Sequence, residues 1–398
     1  MAATVQSNPY FSISRKVGYS VGLEYLVKRV SCLVDKYDSA GSISLAEWKH
    51  IVEEDFGRRG IKSSGSLAPY EHIANFLSAL NFIKIQGRDL IILPNLDAAA
   101  IIKRLAADDD SFKLGLLSLI TFAVLEADGD IFTNLLEADF ERVAARANLL
   151  EMISAKWDCY SRAVTTPAGL DRIWDAVSIR SQLGKPTTGP AGGGVGLRRT
   201  VSLTEALRRP APSPQKVPEV QDSYLEGVIT TRKSWARDLG LVEDNTKTAR
   251  SQRLLTSLRS KGFGLANGGF ALWPYDFEVV QVRLDGRSPV RADSWDLLSA
   301  VHDAFSLRSN AQCVEGEGLF DLVRSIYEAY RASSRALGMI RNQLPLYVLK
   351  PTLVAMSAAS GNALPNLFDF LHAEVRDPRR RINKVSIRGT EGAITIKV

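Results

Sequence analysis

The feature that most constrains this chain is a stretch unable to build a core. Residues 185–221 run KPTTGPAGGGVGLRRTVSLTEALRRPAPSPQKVPEVQ, with six prolines and five glycines in 37 positions. Long aliphatic and aromatic side chains are nearly missing, so little apolar burial is on hand to offset the entropy of ordering the backbone. The stretch is expected to be a flexible Pro/Gly-rich linker, with Val201–Arg209 able to form a short helix. Arg198, Arg199, Arg208 and Arg209 flank that piece and make the linker basic. A chain of 398 residues interrupted in this way has to distribute its apolar residues, 45% of the total, among separate cores.

Charge divides at the same place. Residues 1–184 hold 20 Lys and Arg against 23 Asp and Glu, a net of −3, whereas residues 185–398 hold 30 against 21, a net of +9. This asymmetry points to a polyanion partner for the second half, double-stranded DNA first. A solvated basic surface is the plain alternative. No apolar run reaches the ~18 residues of a membrane span. The longest, Leu114 to Leu125, is broken by Ser118 and Thr121. The first twenty residues lack the basic-then-apolar order of a secretory leader. Cys32, Cys159 and Cys313 are odd in number and far apart, which suits neither a disulfide framework nor a zinc site. The expectation is a cytoplasmic chain with no membrane association.

Periodicity supplies the modules. Leu23 to Tyr37 has apolar residues at helical spacing. Ser44 with Glu47 three residues on is a capping-box start for a helix through Phe56. A third helix is expected over Ala68–Leu80, followed by FIKI and LIIL enclosing Gln86-Gly87-Arg88-Asp89, a hairpin signal. A second segment runs from the apolar stretch 111–130, through a helix from Glu141 to about Ile153, to residues 160–177. After the linker, a helix through Arg232–Leu239 should stop at Gly240. A helix over Ser251–Ser260 and a hairpin of GFGL with FALWP around residues 266–269 should follow. The last stretch has helices near Trp295–Phe305 and Gly318–Ser334, two more apolar helices, and a terminal hairpin of VSIR with AITIKV.

The fold class expected is therefore mainly α with small β-hairpins, an α+β chain of tandem winged-helix-like domains. The boundaries are 1–107, 108–184, the linker 185–221, a basic winged-helix domain 222–284, and a helical domain 285–398 ending in a wing-like hairpin. Helices closed by a hairpin resemble winged helix-turn-helix modules. The run Val164, Thr165, Pro167, Gly169 and Leu170 before an amphipathic helix is similar to the wing strand and trailing helix of prokaryotic winged-helix proteins. In layout the chain resembles the DNA-recognition halves of type IIS restriction enzymes, the specificity subunits of prokaryotic defence complexes, and winged-helix or kleisin-like partners of SMC-type ATPases. The resemblance implies a DNA-binding or adaptor subunit, or a structural protein–protein subunit.

Catalytic patterns do not emerge. His50, His72, His302 and His372 are scattered and make no metal-ligand spacing. Asp108-Asp109-Asp110 before a helix suits N-terminal capping. Glu126, Asp128 and Asp130 lack the spacing of a calcium loop and are expected to form a polar inter-helix turn. The glycine-rich residues 189–196 lack the Lys-Ser/Thr of a phosphate loop. Cys159 and Cys313 have no base near them in sequence. Glu391 and Lys397 do not have nuclease spacing, which leaves a cryptic nuclease as the third reading. No catalytic residue, cofactor or metal is assigned.

What remains is binding. Arg232, Lys233 and Arg237 share one expected helix, on which positions 233 and 237 share a face. Such a helix can offer Arg donors to guanine and Lys to phosphate. Between 232 and 261 eight basic residues face three acidic ones, Lys247 and Arg250 among the former. Trp235, between the basic positions, is expected in the core. A second patch joins Arg376, Arg379, Arg380, Arg381, Lys384 and Arg388 ahead of the terminal hairpin and suits phosphate contact. By contrast, Pro69–Leu80 contains Glu71 and no Lys or Arg. The N-terminal half is therefore expected to bind protein.

Overall fold

The computed structural model describes residues 23–40, 43–58, 73–148, 222–261, 270–306, 313–336, 342–383 and 392–397, excepting 75, 79, 87–88, 276–277, 284–289, 293, 378 and 380. The expected linker, the Val164–Leu170 run and most of the Ala68–Leu80 helix lie outside them. The described chain is mainly helical with few short strands. In order come α1 (Leu23–Ala40), α2 (Leu45–Arg58), β1 (Ile83–Gln86), β2 (Asp89–Ile92), α3 (Pro94–Leu105) and α4 (Asp109–Glu137). Next are α5 (Asp222–Asp238), β3 (Val242–Glu243), β4 (Thr246–Lys247), α6 (Ala249–Ser260), β5 (Phe270–Tyr275), β6 (Glu278–Arg283) and β7 (Val290–Ala292). The last are α7 (Ser294–Phe305), α8 (Gly316–Ala336), β8 (Leu344–Pro345), α9 (Leu346–Ser360), α10 (Leu367–Arg376), β9 (Ile382–Asn383) and β10 (Ala393–Ile396). Among the described residues no helix is long and apolar enough to cross a membrane.

Two compact units result, and they are not consecutive in sequence. One joins residues 23–123 to residues 293–398. The other is built by the described residues between Val124 and Ala292. The last stretch of the chain thus completes the unit begun by its first described helix.

The discontinuous unit is centred on α9. Leu346 and every residue from Val348 to Ala358 are buried, the pattern of a helix surrounded by protein rather than lying at a surface. Helices α3, α7 and α8 pack on it, and α1 and α8 also pack on α3. Gly115 of α4 lies against α3 and α9. A Cβ there would sit 2.9 Å from Ile102 Cγ2 and 3.5 Å from the Ala355 carbonyl oxygen. Local signals are met at the edges. The Ser44 amide donates to Glu47 Oε2 at 2.8 Å and the Glu47 amide donates to Ser44 Oγ at 3.1 Å. These bonds, the backbone one first, hold the Glu47 carboxyl below its ordinary range. Tyr37 donates to Asp97 Oδ1 at 2.6 Å inside the unit and ties α1 to the first turn of α3. His302 is a packed core histidine whose Nε2 donates to the Asn362 carbonyl at 2.8 Å.

One expectation is corrected. The polar turn at Glu126–Asp130 is absent, and α4 runs through it. Apolar side chains on both sides, Ile120 to Leu125 and Ile131 to Leu136, are buried and outweigh one glycine. The strand Phe270–Tyr275 pairs with Glu278–Arg283, the following β-rich run, and the GFGL half of the expected hairpin lies outside the described residues. Strand β10 pairs with Ile382–Asn383 on one side and Leu344–Pro345 on the other, and the VSIR half of the expected terminal hairpin lies outside the described residues. The first hairpin forms as expected, with Ile83 opposite Ile92 and Gln86 opposite Asp89.

Candidate nucleic-acid interface

The basic segment 222–261 folds as helix, miniature wing, helix. Helix α5 ends at Gly240, whose φ of +67° favours glycine. The Gly240 amide donates to the Arg237 carbonyl at 2.9 Å and the Leu241 amide to the Ala236 carbonyl at 2.8 Å. This pairing is the Schellman stop. The chain then turns through Asp244 and Asn245, with φ of 45° and 72°. Two successive positive φ values make the tight hairpin turn that joins β3 to β4. Thr248 caps α6 by accepting from the Ser251 amide at 3.4 Å.

Several expected DNA contacts are engaged by the protein itself. Arg232 is 1% exposed. Its guanidinium lies 5.3 Å from the centre of the buried Trp235 ring, and Nη1 donates to the Val228 carbonyl at 3.4 Å. Spacing of three on a helix stacks these two side chains on the inward face, so Arg232 is packed away from a groove. Lys247, in the wing, donates through Nζ to the Glu137 carbonyl at 2.8 Å and pairs with Asp139 at 3.3 Å. Its amide donates to Asp139 Oδ1 at 3.2 Å. The wing thereby covers the C-terminal end of α4, where helix carbonyls attract a cation. Arg259 of α6 pairs with Glu137 beside it. Arg250 donates to the Leu239 carbonyl at 3.0 Å across the Gly240 turn. Burial, and then Arg253, hold its guanidinium below its ordinary value.

The second patch is also partnered. Arg381 makes two hydrogen bonds to Glu374 and one to Glu317, and it stacks on Phe320 with 4.0 Å between guanidinium and ring centre. Arg379 is exposed. Its amide and Nε donate to Asp377 at 2.7 and 3.4 Å, and Nη1 lies 3.9 Å from Glu317. Those bonds, the backbone one first, hold the Asp377 carboxyl down. Arg380, Lys384 and Arg388 lie outside the described residues.

Of the expected contacts, Lys233 and Arg237 remain on the outer side of α5. Arg237 is exposed, and its guanidinium makes no hydrogen bond or ion pair among the described residues. Their helix face is not purely basic, because exposed Glu226 shares it. Helix α6 is more uniformly basic than α5. From Ala249 to Lys261 there are four cations and no carboxylate, a signal that the count over 232–261 diluted.

No group of three or more His, Cys, Asp or Glu side chains is placed to hold a metal ion among the described residues. Asp108 caps α4, accepting from the Ser111 amide at 2.7 Å, and that bond lowers its carboxyl. No family model, curated protein or solved structure matches the chain.

Proposed function

We propose that the chain is a non-enzymatic, DNA-binding or adaptor subunit of a prokaryotic DNA-acting assembly, such as a defence or restriction complex, with winged-helix-like modules. The observation that carries this is the run from Ala249 to Lys261, cationic and free of carboxylates, set on a capped helix beside a hairpin wing. Such a run attracts phosphate through counterion release, whatever the sequence of the duplex. The acidic N-terminal residues are then the side that meets protein partners.

A second reading is favoured by one observation. The wing is spent on the chain's own α4 through Lys247, as in a module whose hairpin docks protein. On that reading the chain is a structural subunit, kleisin-like or a winged-helix partner of an SMC-type ATPase.

Titration of the full-length protein into a labelled duplex separates the two. DNA binding through six or more phosphates should weaken by about a thousandfold between 50 and 200 mM salt. Absence of measurable binding at ~50 mM salt overturns the DNA reading and leaves the structural one.

A further inference from the structure

We infer that the outward face of α6, centred on Gln252 and Thr256 with Arg253 at its edge, reads base edges in the major groove of B-form DNA. The inference rests on the DNA-binding reading above and transfers the reading role from α5 to α6.

The geometry of α6 is divided cleanly. Ser251, Leu254, Leu255, Ser257 and Leu258 are buried. Ala249, Gln252, Arg253, Thr256, Arg259 and Ser260 are all exposed. At 3.6 residues per turn those six positions fall within about a third of the helix circumference and run along ~18 Å of its length. A helix of this width fits a major groove ~12 Å wide. The face has small side chains at its middle, so the backbone can come close to the bases, and no carboxylate to repel phosphate.

Two of its uncharged polar side chains, Gln252 and Thr256, are unspent, whereas Arg259 pairs with Glu137 and Ser260 Oγ donates to the Ser257 carbonyl. Among the described residues the Gln252 side-chain amide and the Thr256 hydroxyl make no hydrogen bond. The contrast is informative for threonine. Thr121, Thr133 and Thr352 each donate to the carbonyl four residues earlier, at 2.9, 2.6 and 2.7 Å. A glutamine amide can pair with both N7 and N6 of adenine, a threonine methyl can meet the thymine methyl, and an arginine can fork onto guanine. The chemistry therefore selects a short site containing A·T pairs, with guanine favoured towards the Arg253 edge. On α5 the outward side chains Glu226, Lys233, Arg237 and Asp238 cancel in charge, and Arg232 is buried against Trp235. That helix is suited to holding α6 and touching phosphate, not to reading.

The test begins with selection of preferred duplexes from a randomised pool by the full-length protein. The Gln252→Ala/Thr256→Ala variant should then lose about tenfold or more of its discrimination between the selected site and a scrambled one. Its salt slope should stay that of the parent, because neither residue is charged. Lys233→Ala/Arg237→Ala should do the reverse, flattening the salt slope with the preferred sequence retained. Both variants alter exposed or half-buried positions, and circular dichroism checks their folding. Duplex binding with undiminished discrimination by the Gln252/Thr256 variant overturns this inference alone. So does parent binding with no preferred sequence. Failure of the parent to bind any duplex overturns the DNA reading and this inference with it.

Discussion

The Arg381 guanidinium holds the Glu374 carboxylate through two parallel hydrogen bonds, Nε to Oε2 at 3.0 Å and Nη2 to Oε1 at 2.7 Å. A third bond reaches Glu317 Oε2 at 2.6 Å. Hydrogen bonds to Glu374, and then to Glu317, raise the guanidinium above its ordinary range. Arg381→Ala should destabilise the protein by roughly 2–4 kcal/mol. That is somewhat less than breaking a fully buried pair, since a fifth of the Arg381 side chain meets solvent. Arg381→Lys should recover little, because lysine cannot offer the fork. Denaturant midpoints measure both, and an unchanged midpoint for Arg381→Ala would show that the clasp carries no stability.

Lys247 gives a second prediction at the other unit. Removing its charge from the end of α4 with Lys247→Ala should cost about 1 kcal/mol. It should also speed amide exchange at Ala138 to Glu141, the turn that it covers. Asp139 and Phe140 there have φ of 51° and 54°, a conformation that needs outside support. An unchanged stability with a salt slope for duplex binding lower by about one would instead place Lys247 on phosphate.

Gly115→Ala tests the convergence of α3, α4 and α9. The added methyl would approach Ile102 Cγ2, the branched methyl of a buried side chain with little room to give. Overpacking of this kind costs typically 1–3 kcal/mol. Ile102→Val would not remove the clashing Cγ2, whereas Ile102→Ala in the Gly115→Ala background should restore part of the loss. Additive losses in the double variant would refute the contact as the cause.

Glu126 sets a pH dependence. Part of its surface meets solvent, yet the protein packed around it pushes its carboxyl up from 4.5 to about 7. The folded state therefore binds a proton that the unfolded state has already released between about pH 4.5 and 7. Stability from this group is greatest below that window, declines as pH rises through it, and stays low above it. Glu126→Gln should raise the denaturant midpoint relative to the parent at pH 8 and leave it level near pH 4.5. Parallel midpoints at both pH values would assign Glu126 an ordinary carboxyl.

The signals that could be seen in the sequence were local ones. Ser44 with Glu47, Asp108 before α4, Gly240 after α5 and the pair of runs around Gly87-Arg88 each need partners only a few residues away. Their elements formed accordingly. The fate of a cation is decided at longer range. Arg381 and Glu317 are 64 residues apart, and Lys247 and Glu137 are 110 apart. Nothing in an RRR run or a polar turn announces a carboxylate so distant. Arg232 was obscured for a different reason: its neighbour Trp235 was expected in the core, but a helical spacing of three carries the arginine in with it. The grouping of residues 293–398 with 23–123 has no local signature at all, since helix-period patterns say which face is apolar and not which helix covers it.

That grouping has a consequence for how the protein is made. Residues up to Ala123 leave the ribosome 170 residues ahead of Asp293. At about 5–20 residues per second this is a delay of roughly ten to thirty seconds. Throughout it, the apolar face of α3 lacks the helices α8 and α9 that will cover it. The intervening residues from Val124 to Ala292 are complete first and can fold while the earlier segment waits. The nascent chain thus depends on its last hundred residues to bury its first hundred, and a truncation near the C-terminus would leave the N-terminal helices exposed to chaperones and proteases.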